Sequence, residues 1–364
     1  MQDLSANIGK EFISGWPTWR SIRSGPSAPQ VHFQITLADR LRDEANKLHL
    51  PADPAAIITQ ARRESQRGDA TTFADVWNEL ETALITLVYG SNMIESAGTN
   101  LRITTKLCQN IFRGIPVTVS TDERDPAYQE HLETLIKTNR KGDKSSVILS
   151  RKEVVTHAKA LNFAIDHIVL GNMAWSEDFI LQTHKILYDG IDEDVVAGKY
   201  RDHEVGVCYS KPGEKKKSRM CMRASAVPRY MKEMIEHLNE DIVNAETSGE
   251  IDPYTLAARY HHQFVMIHPF GDGNGRMSRI ILNVLLLKYA GHVTLFGSEG
   301  DEKDDYLAVV GRGGKIFASE DMEVDFHEQT SHFEFAKFIL TKSKANLEQM
   351  WTWAVRKRDK KTTD

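Results

Sequence analysis

The chain has 364 residues, 41% hydrophobic and 27% charged, with 46 Lys and Arg against 51 Asp and Glu for a formal charge of -5. This composition supplies a sizeable core and excludes disordered and collagen-like classes. Bulk attraction to nucleic acid or an anionic membrane is not the driving interaction, so no such partner is expected and any anion binding must be local.

Cys108, Cys208 and Cys221 are an odd number without CxxC spacing, which argues against a zinc site and a disulfide framework. No apolar run is long enough to span a bilayer, and Asp3, Glu11, Gly15, Pro17, Arg20 and Pro26 interrupt the region where a signal peptide would need one. A cytoplasmic location is expected, with the nucleus also open. At roughly 150 residues per domain, the length allows two or three domains or one large helical body with appendages.

Residues 1–55 read as an arm, with Trp16, Pro17, Trp19, a Ser-Gly-Pro-Ser-Ala-Pro run from Ser24 to Pro29 and a short helical pattern from Leu37 to Leu48. The spacing of Phe73, Trp77, Leu80, Leu84, Leu87 and Val88 predicts one long amphipathic helix to Glu95, with Gly98 and Asn100 as stop signals. Further helices are expected over Lys152 to Val169, Ser176 to Tyr188 and Val227 to Val243. Alternation at Val205, Val207 and Tyr209, turn chemistry at Lys211-Pro212-Gly213 and a short run at Met220 to Met222 predict a β-hairpin near 205–222. Its tip carries Lys215, Lys216 and Lys217, most simply a solvated basic loop. No internal repeat is visible.

The informative segment follows. Asp252 and Pro253 suit the start of a helix whose face Tyr254, Ala257, Ala258, His261, Val265, His268 stays in register until Pro269 ends it. A residue before proline is pushed out of the α region, so His268 should sit at the helix end and point into whatever the next loop encloses. That loop, Phe270-Gly271-Asp272-Gly273-Asn274-Gly275, opens onto the wholly apolar run Ile280, Ile281, Leu282, Val284, Leu285, Leu286, Leu287, which must be buried. Glycines allow close backbone approach, and the free N–H groups of a helix start favour an anion. Arg276 and Arg279 in the first turns oppose the helix dipole, at roughly 0.3–1 kcal/mol each. A multiply charged anion between them would reverse that sign, and a nucleotide polyphosphate with Mg²⁺ on an acidic residue satisfies every group. No Lys-Ser/Thr pair follows the glycines, so this is not a Walker A loop.

The segment His268-Pro269-Phe270-Gly271-Asp272-Gly273-Asn274-Gly275-Arg276-Met277-Ser278-Arg279 resembles the Fic family signature HxFx(D/E)GNGRxxR at every defining position. Gly198-Lys199-Tyr200-Arg201, leading into the hairpin, looks like the family's target-docking flap. The resemblance implies a mainly α Fic-type helical bundle with a small β-hairpin flap, and transfer of AMP from ATP to a Ser, Thr or Tyr hydroxyl of a target protein. It implies His268 as general base, Asp272 as the Mg²⁺ ligand, and Gly273, Asn274 and Gly275 as the anion hole. Arg276 would contact the β-phosphate and Arg279 the γ-phosphate, with Phe270 anchoring the loop. On this reading residues 56–150 are an N-terminal helical region, 151–310 the catalytic core and 311–364 a helical extension. The target would dock on the 205–222 hairpin.

Ser91-Asn92-Met93-Ile94-Glu95-Ser96 resembles the family's inhibitory motif (S/T)xxxE(G/N), with Ser96 departing at its last position. Ser91 and Glu95, at i and i+4, share a helix face, so Glu95 could pair with Arg279 and exclude the γ-phosphate. Two rival readings stay within the family: removal of AMP with Glu95 positioning a water, or transfer of another nucleotide group. A third is a non-catalytic nucleotide-binding module. A metal site on His261, His262 and His268 is disfavoured, because His261 and His268 lie about 10.5 Å apart along the axis.

Overall fold

Side-chain caps set the starts of five of the helices. In the computed structural model, which describes residues 3–8, 19–20, 30–31, 33–49, 70–120, 122–209, 217–321, 323–344 and 348, the first two long helices are α1 (Asp39–Lys47) and α2 (Ala70–Ile94). Next come α3 (Leu101–Phe112), capped by Asn100 on the Ile103 N–H, α4 (Pro126–Lys137), capped by Asp125, α5 (Lys144–Ala164), capped by Asp143, and α6 (Glu177–Leu187), capped by Ser176. Asn100 is therefore a start rather than a stop, because its side chain satisfies a free N–H of α3. The stop of α2 is made by left-handed backbone at Ser96 (φ 55°) and Gly98 (φ 69°). The helix expected over 152–169 begins earlier, at its Asp143 cap, and passes into a π-helical turn over Ile165–Leu170.

Two-residue strands β1 (Trp19–Arg20) and β2 (Gln30–Val31) pair antiparallel, and β3 (Gln34–Ile35) lies ahead of α1. Trp16, Pro17 and the Ser24 to Pro29 run fall outside the described residues. The expected hairpin is β4 (Gly206–Tyr209) against β5 (Lys217–Met220), with Gly206 opposite Met220 and Tyr209 opposite Lys217. The second strand thus precedes the 220–222 run, since the register set at Gly206 extends only to one further bond, Cys221 N–H to the Val205 carbonyl at 3.0 Å. Lys217 lies on a strand, while Lys215, Lys216 and the 211–213 turn are outside the described residues.

After the hairpin, α7 (Val227–Ser248) closes on Gly249 in left-handed backbone, and β6 (Glu250–Ile251) pairs parallel with β3. Asp252 then caps α8 (Pro253–Ile267) by accepting from the Tyr254 and Thr255 N–H groups, while its other oxygen accepts from Ala38 N–H at 2.8 Å. One carboxylate therefore fixes the start of α8 and the entry to α1. Helix α9 (Asn274–Ala290) packs along α8 at the centre of the body, followed by α10 (Glu302–Glu320) and a helix over 333–344.

A single hydrophobic core runs from Leu4 and Leu41 through α2, α8 and α9 to Leu340, with Tyr128, Leu135 and Val147 forming a small satellite. The Ile280 to Leu287 run is buried throughout, each large aliphatic side chain contributing roughly 1.5–3 kcal/mol. Cys108 is buried and Cys221 half-buried, neither in a disulfide. Among the described residues no helix is long and apolar enough to cross a membrane.

Candidate active site

At the end of α8, His268 takes left-handed backbone (φ 53°, ψ 61°), a conformation that costs a non-glycine residue about 1 kcal/mol. Arg201 holds it there. Its N–H donates to the Pro269 carbonyl at 2.9 Å and its Nε to the His268 carbonyl at 2.7 Å. The rest of the guanidinium donates to the carbonyls of Ile267 and, at the hairpin base, His203 and Met222. One buried cation thus satisfies carbonyls that the helix end leaves free. Burial lowers the His268 pKa, with the Val265 carbonyl, Asp272 and Glu95 opposing it and Arg201 reinforcing it. The imidazole is neutral at neutral pH, and its buried Nδ1 makes no hydrogen bond of normal geometry.

The loop is stapled from inside. Asn274 Oδ1 accepts from Phe270 N–H and its Nδ2 donates to the Phe270 carbonyl, both at 2.9 Å. The Asn274 side chain is thereby committed to shaping the loop. Phe270 is fully buried and stacks on His184 with ring centroids 3.6 Å apart. His184 Nδ1 accepts from Gly198 N–H at 2.9 Å, so Nε2 carries the proton and donates to the Asp272 carbonyl at 3.0 Å. Burial pushes His184 down to about 4, with Arg276 adding to the effect, so it stays in that neutral form. Gly273, at φ 78°, lies against His184 and Tyr188, where a side chain would crowd both rings.

The exposed Asp272 carboxylate accepts from Tyr188 O–H at 2.7 Å and from Gly273 N–H at 2.6 Å. No group of three His, Cys, Asp or Glu side chains gathers to hold a metal among the described residues. A single accessible carboxylate fits Mg²⁺ that takes its remaining ligands from phosphates and water, and does not fit an all-protein cage. His261, buried in the core, lies in hydrogen-bond contact with the Tyr306 hydroxyl at 3.1 Å. Tyr188 and His184 were not legible as site residues in the sequence. Their one signal is the i, i+4 spacing of two stacking rings near the end of α6.

Arg276 and Arg279 are 4% and 1% exposed. Arg276 Nε and Nη1 are buried with no acceptor, and its guanidinium lies 5.6 Å from the Tyr188 ring centre. Arg279 is enclosed. Its Nε donates to Ser91 Oγ at 2.8 Å, and its Nη2 to the Ser91 carbonyl at 3.0 Å and to Glu95 Oε1 at 2.5 Å. Its Nη1 donates to the Tyr306 hydroxyl at 3.5 Å. Burial works against the Arg279 charge, but Glu95 outweighs it and the pKa is raised. The Glu95 side chain itself remains 37% exposed. Ser96 reaches the left-handed conformation that Gly or Asn adopts more readily, so the departure from the inhibitory motif leaves the helix end intact.

Residues 174–286 match the family model described as the Fic/DOC family. Protein adenylyltransferase fic-1 of Caenorhabditis elegans is 33% identical over 113 residues, 31% of this chain and 19% of the relative. Protein adenylyltransferase Fic of Culex quinquefasciatus is 42% identical over 76 residues, 20% of this chain and 15% of the relative. The aligned part is thus about a fifth or less of these curated relatives' length. A Fic domain containing signalling protein from Bacteroides thetaiotaomicron superposes with a TM-score of 0.58 at 16% identity, covering 83% of this chain and 96% of the other. A fragment of C. elegans Fic-1 gives 0.51 at 17% identity, covering 85% and 72%. The shared fold is the mainly α Fic fold.

Proposed function

Because this chain carries a Fic/DOC-family domain at residues 174–286, we propose that it is a protein adenylyltransferase moving AMP from ATP to a Ser, Thr or Tyr hydroxyl of another protein. The observation that carries the reading is Arg276, a desolvated cation with two nitrogen atoms lacking an acceptor at the glycine-rich start of α9. A buried cation without a partner is unfavourable by several kcal/mol, and a polyphosphate supplies the missing anion. The backbone N–H groups of Asn274 and Gly275 add donors at the helix start, while that of Gly273 is given to Asp272.

His268 takes the target hydroxyl's proton on Nε2, since Nδ1 is buried. The hydroxyl oxygen forms a bond to the α-phosphorus, the bond from that phosphorus to the bridging oxygen breaks, and pyrophosphate leaves. Asp272 would hold Mg²⁺, which neutralises charge on the phosphates. Arg276 and Arg279 orient the β- and γ-phosphates and stabilise the charge developing on the leaving group. A target segment adds as a strand to the β4–β5 hairpin, gaining main-chain bonds with little sequence discrimination. Arg201, bonded to both the hairpin base and His268, keeps that docking strand in a fixed relation to the base.

In the closed arrangement Glu95 occupies the arginine that the γ-phosphate needs, so ATP binds in a non-productive pose. Labelled ATP tests the whole reading. His268→Ala should lower transfer by about 10²- to 10⁴-fold with ATP binding largely kept, and near wild-type transfer would remove His268 from the mechanism. Glu95→Gly should raise self-modification and target modification. If the protein chiefly removes AMP, the same substitution abolishes that hydrolysis, because the water loses its positioning carboxylate. Rates of transfer and hydrolysis that both match the parent would refute either role for Glu95.

A further inference from the structure

The Ser91 hydroxyl and carbonyl that hold Arg279 lie on α2, the helix that also carries the inhibitory carboxylate. Any motion of α2 that withdraws Glu95 also loosens Ser91. One partner of Arg279 belongs to a different element, the Tyr306 hydroxyl on α10, beyond the 174–286 family match. Tyr306 is 3% exposed, its ring packed on Phe296 and edge-on to Phe335.

One hydrogen-bond direction at Tyr306 is fixed by chemistry. Arginine has only donors, so the Tyr306 oxygen accepts from Arg279 Nη1. The same oxygen lies 3.1 Å from His261 Nε2, which either accepts the hydroxyl proton or donates to the second lone pair according to its tautomer. The His261 ring is completely buried and stacks on Phe335 at 4.2 Å between centroids, so it cannot turn away. This pair of hydrogen bonds links the α8 core to the arginine without passing through α2.

We propose that Tyr306, oriented by His261, is a positioning residue that keeps Arg279 aimed at the γ-phosphate when Glu95 withdraws. The inference rests on Arg279 as the γ-phosphate contact proposed above. With Glu95 in place the carboxylate dominates the arginine's orientation and Tyr306 adds little. With Glu95 gone, Ser91 holds Nε and Nη2 while Tyr306 is the neutral partner of Nη1, orienting the guanidinium from a second element without competing for its charge.

Calorimetric titration of ATP and of ADP into Glu95→Gly and into Glu95→Gly with Tyr306→Phe decides the matter. Phenylalanine keeps the ring packing and deletes only the hydroxyl. ATP affinity should fall about three- to tenfold, in the range of one hydrogen bond to a charged group at long distance, with ADP affinity unchanged within twofold. In the Glu95-containing parent, Tyr306→Phe should change neither affinity by more than twofold. Equal loss for ATP and ADP, or no loss for ATP, would overturn the proposal. His261→Phe, which preserves the stack on Phe335 and removes the ring nitrogen that bonds Tyr306, should lower ATP affinity selectively and by less, and serves if the Tyr306 variant does not fold. Arg279→Ala in the Glu95→Gly background separates the two layers. If it keeps the preference for ATP over ADP, the γ-phosphate reading falls and Tyr306 with it. If it loses that preference while Tyr306→Phe retains it, only the role of Tyr306 falls.

Discussion

Arg276 and Arg279 stand one turn apart on the same buried helix, yet one keeps nitrogen atoms without an acceptor and the other is enclosed by Ser91, Glu95 and Tyr306. The first offers buried donors at a glycine-rich helix start, which an anion would stabilise. The second already has its anion, and that carboxylate must leave before another can enter. The exposure of the partners makes this reversible. Arg279 is anchored in the core, whereas Glu95 is partly in water, so hydration offsets the carboxylate's share of the cost of leaving and an incoming anion offsets the arginine's. Two chemically identical groups are thus separated into a standing receptor and a switchable one by their neighbours alone.

Acid should break the comparison most severely. His157, lowered by burial and then by Arg276 and Arg279, His184, lowered by burial with help from Arg276, and His261, lowered by burial, His262 and Arg279, surround both cations in neutral form. Each binds a proton more readily in the unfolded chain than in the folded one. Stability is therefore fully present above the ordinary histidine value and falls as pH drops below it, down to about 4 for His184. The slope is about 1.4 kcal/mol per pH unit for each histidine. Urea midpoints should decline steeply from pH 6.5 downward, with His131 and His292, also pushed to about 4 by burial, contributing in the same window. Constant midpoints between pH 7 and 5 would contradict the neutral surroundings.

Substituting each arginine sharpens the comparison. Arg279→Met should destabilise by about 1–3 kcal/mol, less than a fully buried pair because Glu95 rehydrates. Arg276→Met should be neutral or stabilising by about 1 kcal/mol, since it removes a desolvated charge that lacks a partner, while ATP binding weakens. Equal losses in thermal unfolding would mean that both cations are satisfied alike.

The smallest effect is expected from Tyr188→Phe, which deletes the hydroxyl that bonds Asp272 and keeps the ring beneath Arg276. Stability should change by about 1 kcal/mol or less, but the Mg²⁺ concentration needed for half-maximal transfer should shift severalfold. An unchanged metal requirement would make Tyr188 a packing residue only.

The parts of this site that lie close together in sequence were legible there. The segment from His268 to Arg279 brings its own turn, glycines and cations, and Ser91 with Glu95 obeys helical spacing. The burial of Ile280 to Leu287 followed from composition. What escaped notice depends on residues far apart in the chain: Tyr188 reaching Asp272, His261 reaching Tyr306, and Arg201 reaching His268. A tyrosine that packs and a tyrosine that donates look alike in a sequence. Asn100 was misread for a related reason, since asparagine suits both the end of one helix and the start of the next, and only the Ile103 N–H shows which. The π-helical turn over 165–170 carries no proline or glycine to announce it.

Gly275 carries a consequence for how this protein can diverge. It has no need of left-handed backbone; a Cβ there would collide with Glu95 Oε1 and press on Arg279 Nη1. The missing side chain is the room in which the carboxylate sits. Positions 95 and 275, far apart in the chain, therefore draw on one shared volume and are not free to mutate independently. A descendant that shortens residue 95 gains room for alanine at 275, and one that acquires alanine first displaces the carboxylate from Arg279.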